Sequence, residues 1–488
     1  MLDNNHLEQI NNLLSSLSHD QKIWLAGYIQ GTAGASASGV QTQITKKPVD
    51  IYYATETGNS KALALQLMKA LKAANYKVKN SAVNRFDAKK INKDHIGIFL
   101  CSTHGEGEPP ESALAFFDSI KALSNTPLKD MPYAVLGLGD SSYEIFCGAA
   151  TDLDKELIRL GGVAFQDITL LDVDYAKHTP KWIEDTVRHL ETLQNDKTVL
   201  DIPSVQIEEQ TLRTGKGYSR LEPVTGVVRD IVNLNDRGSN KETYHIEIEY
   251  DADITYSCGD SAGIIVPSKN DEITPRLYSI ASAPSVHENQ IHLTVALATY
   301  VKDNGEQGFG ITSRYLADLK EGDEVIFYIS QNQIFNLPKD DQDAIMIGPG
   351  TGIAPFRSFV WERSERGATG RNWVIFGDQH AHCDFLYQAE WQEHIATDVV
   401  QRMDVAFSRD QAEKLYVQHR LRQQADELLQ WLDAGAALYI CGTKDPMSRD
   451  VEAEILSILQ EKKNLSIDAT HDYLGELEEQ GRYVKDVY

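Results

Sequence analysis

Residues 49–60 read VDIYYATETGNS. The strand-like run DIYYA passes directly into Thr55-Glu56-Thr57-Gly58-Asn59-Ser60, and a helical stretch begins at Ser60. Such a junction gathers backbone N–H groups, hydroxyls and the positive end of a helix dipole, and so can hold a phosphate. The same residue types also form a plain Ser/Thr-rich helix cap, and the loop alone does not choose between the two. The chain beyond this loop decides the fold. As far as about residue 190, the strand-like runs KVKNSAV, IGIFLC, YAVLGL and VAFQDITL alternate with helical stretches beginning at Glu111, Cys147 and Pro180. That alternation predicts a doubly wound parallel sheet.

Two further loops succeed later strands of this set. Ser102-Thr103-His104-Gly105-Glu106-Gly107-Glu108-Pro109-Pro110 comes after IGIFLC, and Leu138-Gly139-Asp140-Ser141-Ser142-Tyr143-Glu144-Ile145-Phe146-Cys147 comes after YAVLGL. Open α/β sheets bind ligands at this edge. Together the three loops resemble the FMN site of flavodoxin-like domains. The resemblance implies that residues 55–60 hold the phosphate, and that residues 102–105 and 138–147 flank the isoalloxazine. It also implies that Tyr143 stacks on the flavin, a planar aromatic on a planar π-system; a lone Tyr is otherwise an ordinary surface aromatic. His104 stands where many relatives carry a second stacking aromatic, and a neutral histidine satisfied by backbone is the alternative. Glu106, Glu108, Glu111, Asp140, Glu144, Asp172 and Asp174 would ring the site, disfavouring an anionic flavin and attracting a basic acceptor. Taken singly, each is a solvated acid.

After a polar linker around residues 199–222, the pattern turns β-rich with GVVRDIVNL, YHIEIEY, IHLTVALATYV and DEVIFYI, which predicts a small antiparallel barrel. From Asp343 the βα alternation resumes with AIMIG, WVIFG, MDVAF and ALYIC. In the barrel, Arg276-Leu277-Tyr278-Ser279 lies in TPRLYSIAS, and Gly310-Ile311-Thr312-Ser313 precedes a helical stretch. An Arg and a helix start can share a pyrophosphate, while Tyr packs on a ring and Ser reaches a flavin edge. These segments resemble the FAD-binding signatures of the ferredoxin–NADP reductase family, a resemblance that adds Thr294, Val295, Ala296 and Tyr300 as FAD candidates. A buried strand with a polar cap is the other reading of Thr294 to Ala296.

Gly348-Pro349-Gly350-Thr351-Gly352-Ile353-Ala354-Pro355 comes after AIMIG and opens a helix, with glycines that let backbone approach a pyrophosphate. Ser408-Arg409 after MDVAF, with Lys414-Leu415-Tyr416-Val417-Gln418 beyond, supplies cations and hydroxyls suited to a ribose 2′-phosphate. An NAD site would instead place an acid at the ribose, so NADPH is expected over NADH. Asp410 beside this cluster is expected to orient Arg409 or to face solvent. Asp450, in SRDVE, resembles a family position that contacts the nicotinamide nucleotide; an exposed helical acid is the alternative.

Cys441 ends ALYIC at the edge where nicotinamide should meet flavin; a cysteine on a buried strand is otherwise inert. The reductase family groups a Ser, a Cys and a carboxylate to orient the nicotinamide, and the resemblance places Ser279, Cys441 and Asp486 in those roles. A terminal aromatic lies over the FAD ring in that family, which implies the same for Tyr488. Over nearly its whole length, the chain resembles the family of flavoprotein subunits of assimilatory sulfite reductases, which are diflavin reductases. The resemblance implies that NADPH delivers hydride to FAD, that FAD passes electrons to FMN, and that FMN serves a sirohaem hemoprotein subunit reducing sulfite to sulfide. One departure stands out. Diflavin reductases interrupt the barrel with a long connecting insertion, whereas GDSAGIIVPSKNDEITPRLYSIAS passes between barrel strands in a short loop.

The expected organisation is therefore an N-terminal segment over residues 1–46, a flavodoxin-like FMN domain over 47–198, a linker over 199–222, an FAD-binding barrel over 223–340 and a Rossmann-like NADPH domain over 341–488. Leu7, Ile10, Leu13, Leu14, Leu17, Ile23, Trp24, Leu25 and Ile29 are spaced like short amphipathic helices, suited to docking or homo-oligomer formation. The net charge of −25 disfavours nucleic acid and suits a cationic protein partner. Five scattered cysteines give neither a disulfide framework nor a metal site, and point to a reducing cytoplasm. The start MLDNNHLEQI lacks the basic lead of a secretory signal, and no apolar run reaches membrane-spanning length. Two rival readings are a diflavin reductase for another haem or iron–sulfur acceptor, and a redox-sensing or assembly flavoprotein.

Overall fold

Strand β1 (Val49–Ala54) is buried at every position, the pattern of a parallel strand covered on both faces. The computed structural model describes residues 46–488 apart from 56–57, 84–85, 104–106, 140–144, 173–174, 195–212, 214, 252, 268–274 and 303–304. The N-terminal amphipathic segment and most of the expected linkers lie outside these residues.

In the first sheet β1 pairs in parallel with β2 (Val78–Ala82) and β3 (Ile96–Ser102), and β3 with β4 (Pro132–Leu138). Two short strands, β5 (Val163–Ala164) and β6 (Thr169–Leu171), share the far edge of β4, giving the order β2-β1-β3-β4-β5. Side chains alternate across β1. Val49, Ile51 and Tyr53 pack with α1 (Asn59–Ala73) and α4 (Thr179–Gln194) on one face. Tyr52 and Ala54 pack with α2 (Leu114–Ala122) and α3 (Gly148–Arg159) on the other. The sheet is thus doubly wound. The run VAFQDITL divides into β5 and β6 because Gln166 turns toward α4 and exchanges hydrogen bonds with Thr186.

The barrel comprises β7 (Val224–Asn233), β8 (Thr243–Tyr250), β9 (Ser261–Ile265), β10 (Arg276–Ser279) and β11 (Gln290–Ala296). The hairpin β12 (Thr299–Val301) and β13 (Gln307–Phe309), then α5 (Ile311–Asp318), lead to the last barrel strand, β14 (Glu324–Ser330). The antiparallel order is β10-β9-β14-β7-β8-β11, and an Ile280–Leu293 bridge joins the two ends. Val228, Ile246, Ile264, Leu293, Val325 and Phe327 fill the interior. Arg213, within the expected linker, donates from its backbone N and its Nε to Gln331 and pairs with buried Asp260.

The third sheet orders β17 (Arg402–Phe407), β16 (Asn372–Asp378), β15 (Ala344–Ile347), β18 (Ala437–Gly442) and β19 (Tyr483–Val487), all parallel. Its helices are α6 (Ala354–Glu365), α7 (Gln388–Ala396), α8 (Val417–Gln423), α9 (Ala425–Asp433), α10 (Arg449–Lys463) and α11 (Ile467–Glu479). The order reverses between β15 and β18, where such sheets bind nucleotides. Among the described residues no helix is long and apolar enough to cross a membrane.

Candidate active site

At the carboxyl edge of the first sheet, Gly58 takes φ +88° and precedes α1, whose first turn has neither a capping side chain nor an acid. The Thr55 hydroxyl accepts the Gly58 N–H at 2.9 Å and shapes the turn. Ser102 donates to the Ala54 carbonyl at 3.2 Å, tying the second loop to the first. A Cβ on Gly107 would lie 2.7 Å from Ile145 Cβ, so the second and third loops also touch. Burial pushes the Cys147 thiol up to about 11, which leaves it inert. Among the described residues, the hydroxyls of Ser60 and Thr103 are buried without a hydrogen-bond partner. The orphaned Ser60 hydroxyl in an uncapped helix start fits the phosphate end of FMN. Glu56, Thr57, His104, Gly105, Asp140, Ser141, Ser142, Tyr143 and Glu144 lie outside the described residues.

The FAD candidates gather at one end of the barrel wall. Arg276 and Leu277 on β10 are exposed, while burial pushes the Tyr278 phenol up to about 12. Gly310 precedes α5 without a side-chain cap, and the Ser313 hydroxyl donates to the Gly310 carbonyl and accepts from Ala298 N–H. That uncapped helix start and the exposed guanidinium of Arg276 fit a pyrophosphate. Ile311 stands exposed beside it, and Thr312 is buried. Tyr300 is 56% exposed on its hairpin, its ring over Gly308. Val295 faces the barrel core, Ala296 is exposed, and the Thr294 hydroxyl meets the Tyr387 hydroxyl at 2.7 Å.

Three distant segments meet where the barrel and the third sheet adjoin. Asp486 pairs in register with Cys441, and Ser279 donates to Asp486 Oδ2 at 3.1 Å. Burial pushes the Asp486 carboxyl up to about 6, against the lowering effect of the Ser279 hydrogen bond. The Cys441 thiol is raised by burial and then by the Asp486 charge. A Cβ on Gly352 would stand 2.1 Å from the Cys441 carbonyl oxygen, so only glycine lets this loop lie on β18. Gly350 sits at φ +58° beside it. The Tyr488 hydroxyl meets Thr351 Oγ1 at 2.8 Å, and its backbone bonds Gly442 and Lys444. An FAD candidate and an NADP candidate therefore hold one another.

Ser408 and Arg409 come directly after β17, their N–H groups donating to the carbonyls of Asp378 and Gln379 at 2.9 Å. Arg409 and Lys414 are exposed, as is Tyr416 at the start of α8. Gln418 and Asp450 are half-buried. Val417 and Leu415 instead belong to the sheet's hydrophobic core. Asp410 is exposed, as the second alternative expected, and its carboxylate is engaged away from Arg409. Its carboxylate binds His380 Nδ1 and the Ala381 N–H, each at 2.8 Å, because the β16–α7 loop offers two donors. Sequence reasoning missed Lys241, whose ammonium pairs at 2.6 Å with buried Asp378 at the end of β16. Burial raises the Asp378 carboxyl, an effect Lys241 opposes, and a Cβ on Gly350 would lie 4.0 Å from it. An acid near the nucleotide loop is thus neutralised from the barrel, 137 residues away in sequence.

His245, Glu247 and His292 lie close enough together to suggest a metal site. Arg357 can only donate to His292 Nδ1, at 3.2 Å, so Nε2 carries the proton and meets Gln290 Oε1 at 3.1 Å. That nitrogen has no lone pair to offer a metal.

These features define a class: a reductase that joins a flavodoxin-like sheet to an FAD-binding barrel and a nicotinamide-nucleotide sheet. Residues 51–184 match the flavodoxin family, 268–315 the FAD binding domain and 346–453 the oxidoreductase NAD-binding domain. The chain is 33% identical to the sulfite reductase NADPH flavoprotein alpha-component of Bacillus subtilis, over 99% of this chain and 98% of that protein. It is 32% identical to the protein of the same name from Vibrio cholerae, over 100% and 96%, and 32% identical to that from Shewanella sp. ANA-3, over 99% and 97%. The chain belongs to the sulfite reductase NADPH flavoprotein alpha-component family. The Bacillus alignment spans 596 positions, more than the 488 residues here, so many positions of that relative have no counterpart in this chain.

Proposed function

We propose that this chain oxidises NADPH at Ser279, Cys441 and Asp486 and delivers the electrons, by way of FAD and FMN, to a sirohaem sulfite reductase hemoprotein. The observation that carries the reading is the convergence of those three side chains from β10, β18 and β19, beside the glycine loop. When bound, the two flavins convert a hydride into single electrons. The chain's own part is placement. Ser60 and the start of α1 would hold the FMN phosphate, with Thr103 beside its isoalloxazine; Arg276 and the start of α5 would hold the FAD pyrophosphate, with Tyr278 and Tyr300 against its rings. Gly350, Thr351 and Gly352 would admit the NADPH pyrophosphate, and Ser408, Arg409, Lys414 and Tyr416 its 2′-phosphate.

The working division is FMN domain 47–198, barrel 223–340 and NADPH domain 341–488, in a cytoplasmic protein whose residues 1–46 dock a partner or a second copy. The test is anaerobic NADPH oxidation with sulfite and a sulfite reductase hemoprotein, before and after stripping FMN. Sulfide formation that requires FMN supports the whole path. FAD reduction without sulfide would keep the reductase and assign another one-electron acceptor.

A further inference from the structure

With the connecting insertion missing, other contacts must hold the flavodoxin-like sheet against the reductase sheets. Lys61 and Lys72 lie eleven residues apart on α1, close to three turns, and so share one face of the helix. Lys61 pairs with Glu478 at 3.5 Å, and Lys72 pairs with Glu479 at 2.7 Å. Both acids end α11, which leads through a short turn into β19 and Asp486. On the same side, Gly58 of the phosphate loop packs on Ile334, whose Cδ1 would be 3.2 Å from a Cβ at Gly58. Ile334 lies three residues beyond Gln331, which receives Arg213 of the linker. The tether and the contact therefore converge on one segment after β14.

We propose that the carboxyl end of α11, with Ile334, is the docking platform for the phosphate-loop helix α1, and that it takes the place of the insertion the relatives carry. The proposal rests on the diflavin reading of this chain. Within a chain of net charge −25, Lys61 and Lys72, two of the three lysines of α1, meet acids of the other sheet, so the contact is charge-complementary. The Lys72–Glu479 pair is exposed and the Lys61–Glu478 pair partly buried; exposed pairs are individually weak and screened by salt, partly buried ones less so. The platform is thus held by charge and opened by ionic strength, and it sits one turn away from the strand that carries Asp486.

A carbodiimide joins an ammonium to a carboxylate only where they touch. In the full chain at low salt it should link Lys72 to Glu479, read by mass spectrometry, and the link should fade at about 1 M salt, where the screening length is about 3 Å. Reversing both lysines (K61E with K72E) or both acids (E478K with E479K) should enlarge the molecule in small-angle scattering. Either pair should also slow NADPH-supported cytochrome c reduction about tenfold, while ferricyanide reduction, which either flavin can support, stays within about twofold. Combining all four reversals should restore compactness and rate. Absence of the low-salt link, unchanged scattering in both reversed pairs, or no recovery in the combined variant would overturn the platform. Failure of the unaltered chain to reduce ferricyanide would instead remove the reductase reading beneath it.

Discussion

Thr103 carries a buried hydroxyl with no partner among the described residues, and an unsatisfied buried polar group costs about 1–3 kcal/mol. Thr103→Val should therefore stabilise the flavin-free chain by about 1 kcal/mol while lowering FMN retention, two opposite signs read by thermal unfolding and by flavin content. Arg409 is exposed, and among the described residues only its backbone is engaged. Arg409→Ala should raise KM for NADPH about tenfold or more and leave KM for NADH within about twofold; equal effects on both nucleotides would remove the 2′-phosphate assignment. Asp486 has a carboxyl pushed up to about 6, so the folded state holds its proton more tightly than the unfolded chain does. Its contribution is present at low pH and lost as pH rises from about 4 through 6, at most about 3 kcal/mol. Asp486→Asn should flatten that part of the stability profile, measured by chemical denaturation across the range. At this scale the sequence is uneven. Ser279, Cys441 and Asp486 could be named because each sits in a recognisable segment, whereas Lys241 gave no signal, since nothing local marks a barrel lysine whose partner folds in from the next sheet.

The elements were mostly legible, for reasons visible in their burial. Strands buried on both faces, such as β4 and β15, read as apolar runs, and β1 does so apart from Asp50. The exception is β19, where Lys485 and Asp486 interrupt the pattern. Its pairing is supplied by β18, and Lys485 finds Glu452 on α10, so tertiary contact makes a strand from residues that do not advertise one. The glycine loop likewise needs its neighbour to explain it. With the Cys441 carbonyl 2.1 Å from any Cβ at Gly352, Gly352→Ala should lift the loop off β18. The expected result is loss of NADPH binding with FAD content retained, checked by nucleotide titration and flavin analysis.

Across the whole molecule, alternation and its interruption reveal the three sheets, because parallel and antiparallel sheets impose different sequence periods. How those sheets meet was not legible: contacts such as Lys61 with Glu478 join residues 417 positions apart and depend on how the domains settle. A fragment starting near residue 213, where the linker is pinned to Gln331, should fold, retain FAD and reduce ferricyanide with NADPH, yet fail with sulfite and hemoprotein. Loss of ferricyanide reduction in a folded fragment would show that the first sheet is needed for nicotinamide oxidation.

The ion pair between Lys241 and Asp378 has a consequence for how such a chain can be recombined. A crossover between the barrel and the third sheet, grafting the latter onto a barrel with an apolar residue in place of Lys241, would leave a buried carboxylate bare beneath the nucleotide loop. Burial already raises that carboxyl, so without its cation it must either take up a proton or meet the incoming phosphates as a bare charge. Barrel and nucleotide sheet are in this sense a single heritable unit, and a working exchange in the laboratory must carry both sides of that pair or neither.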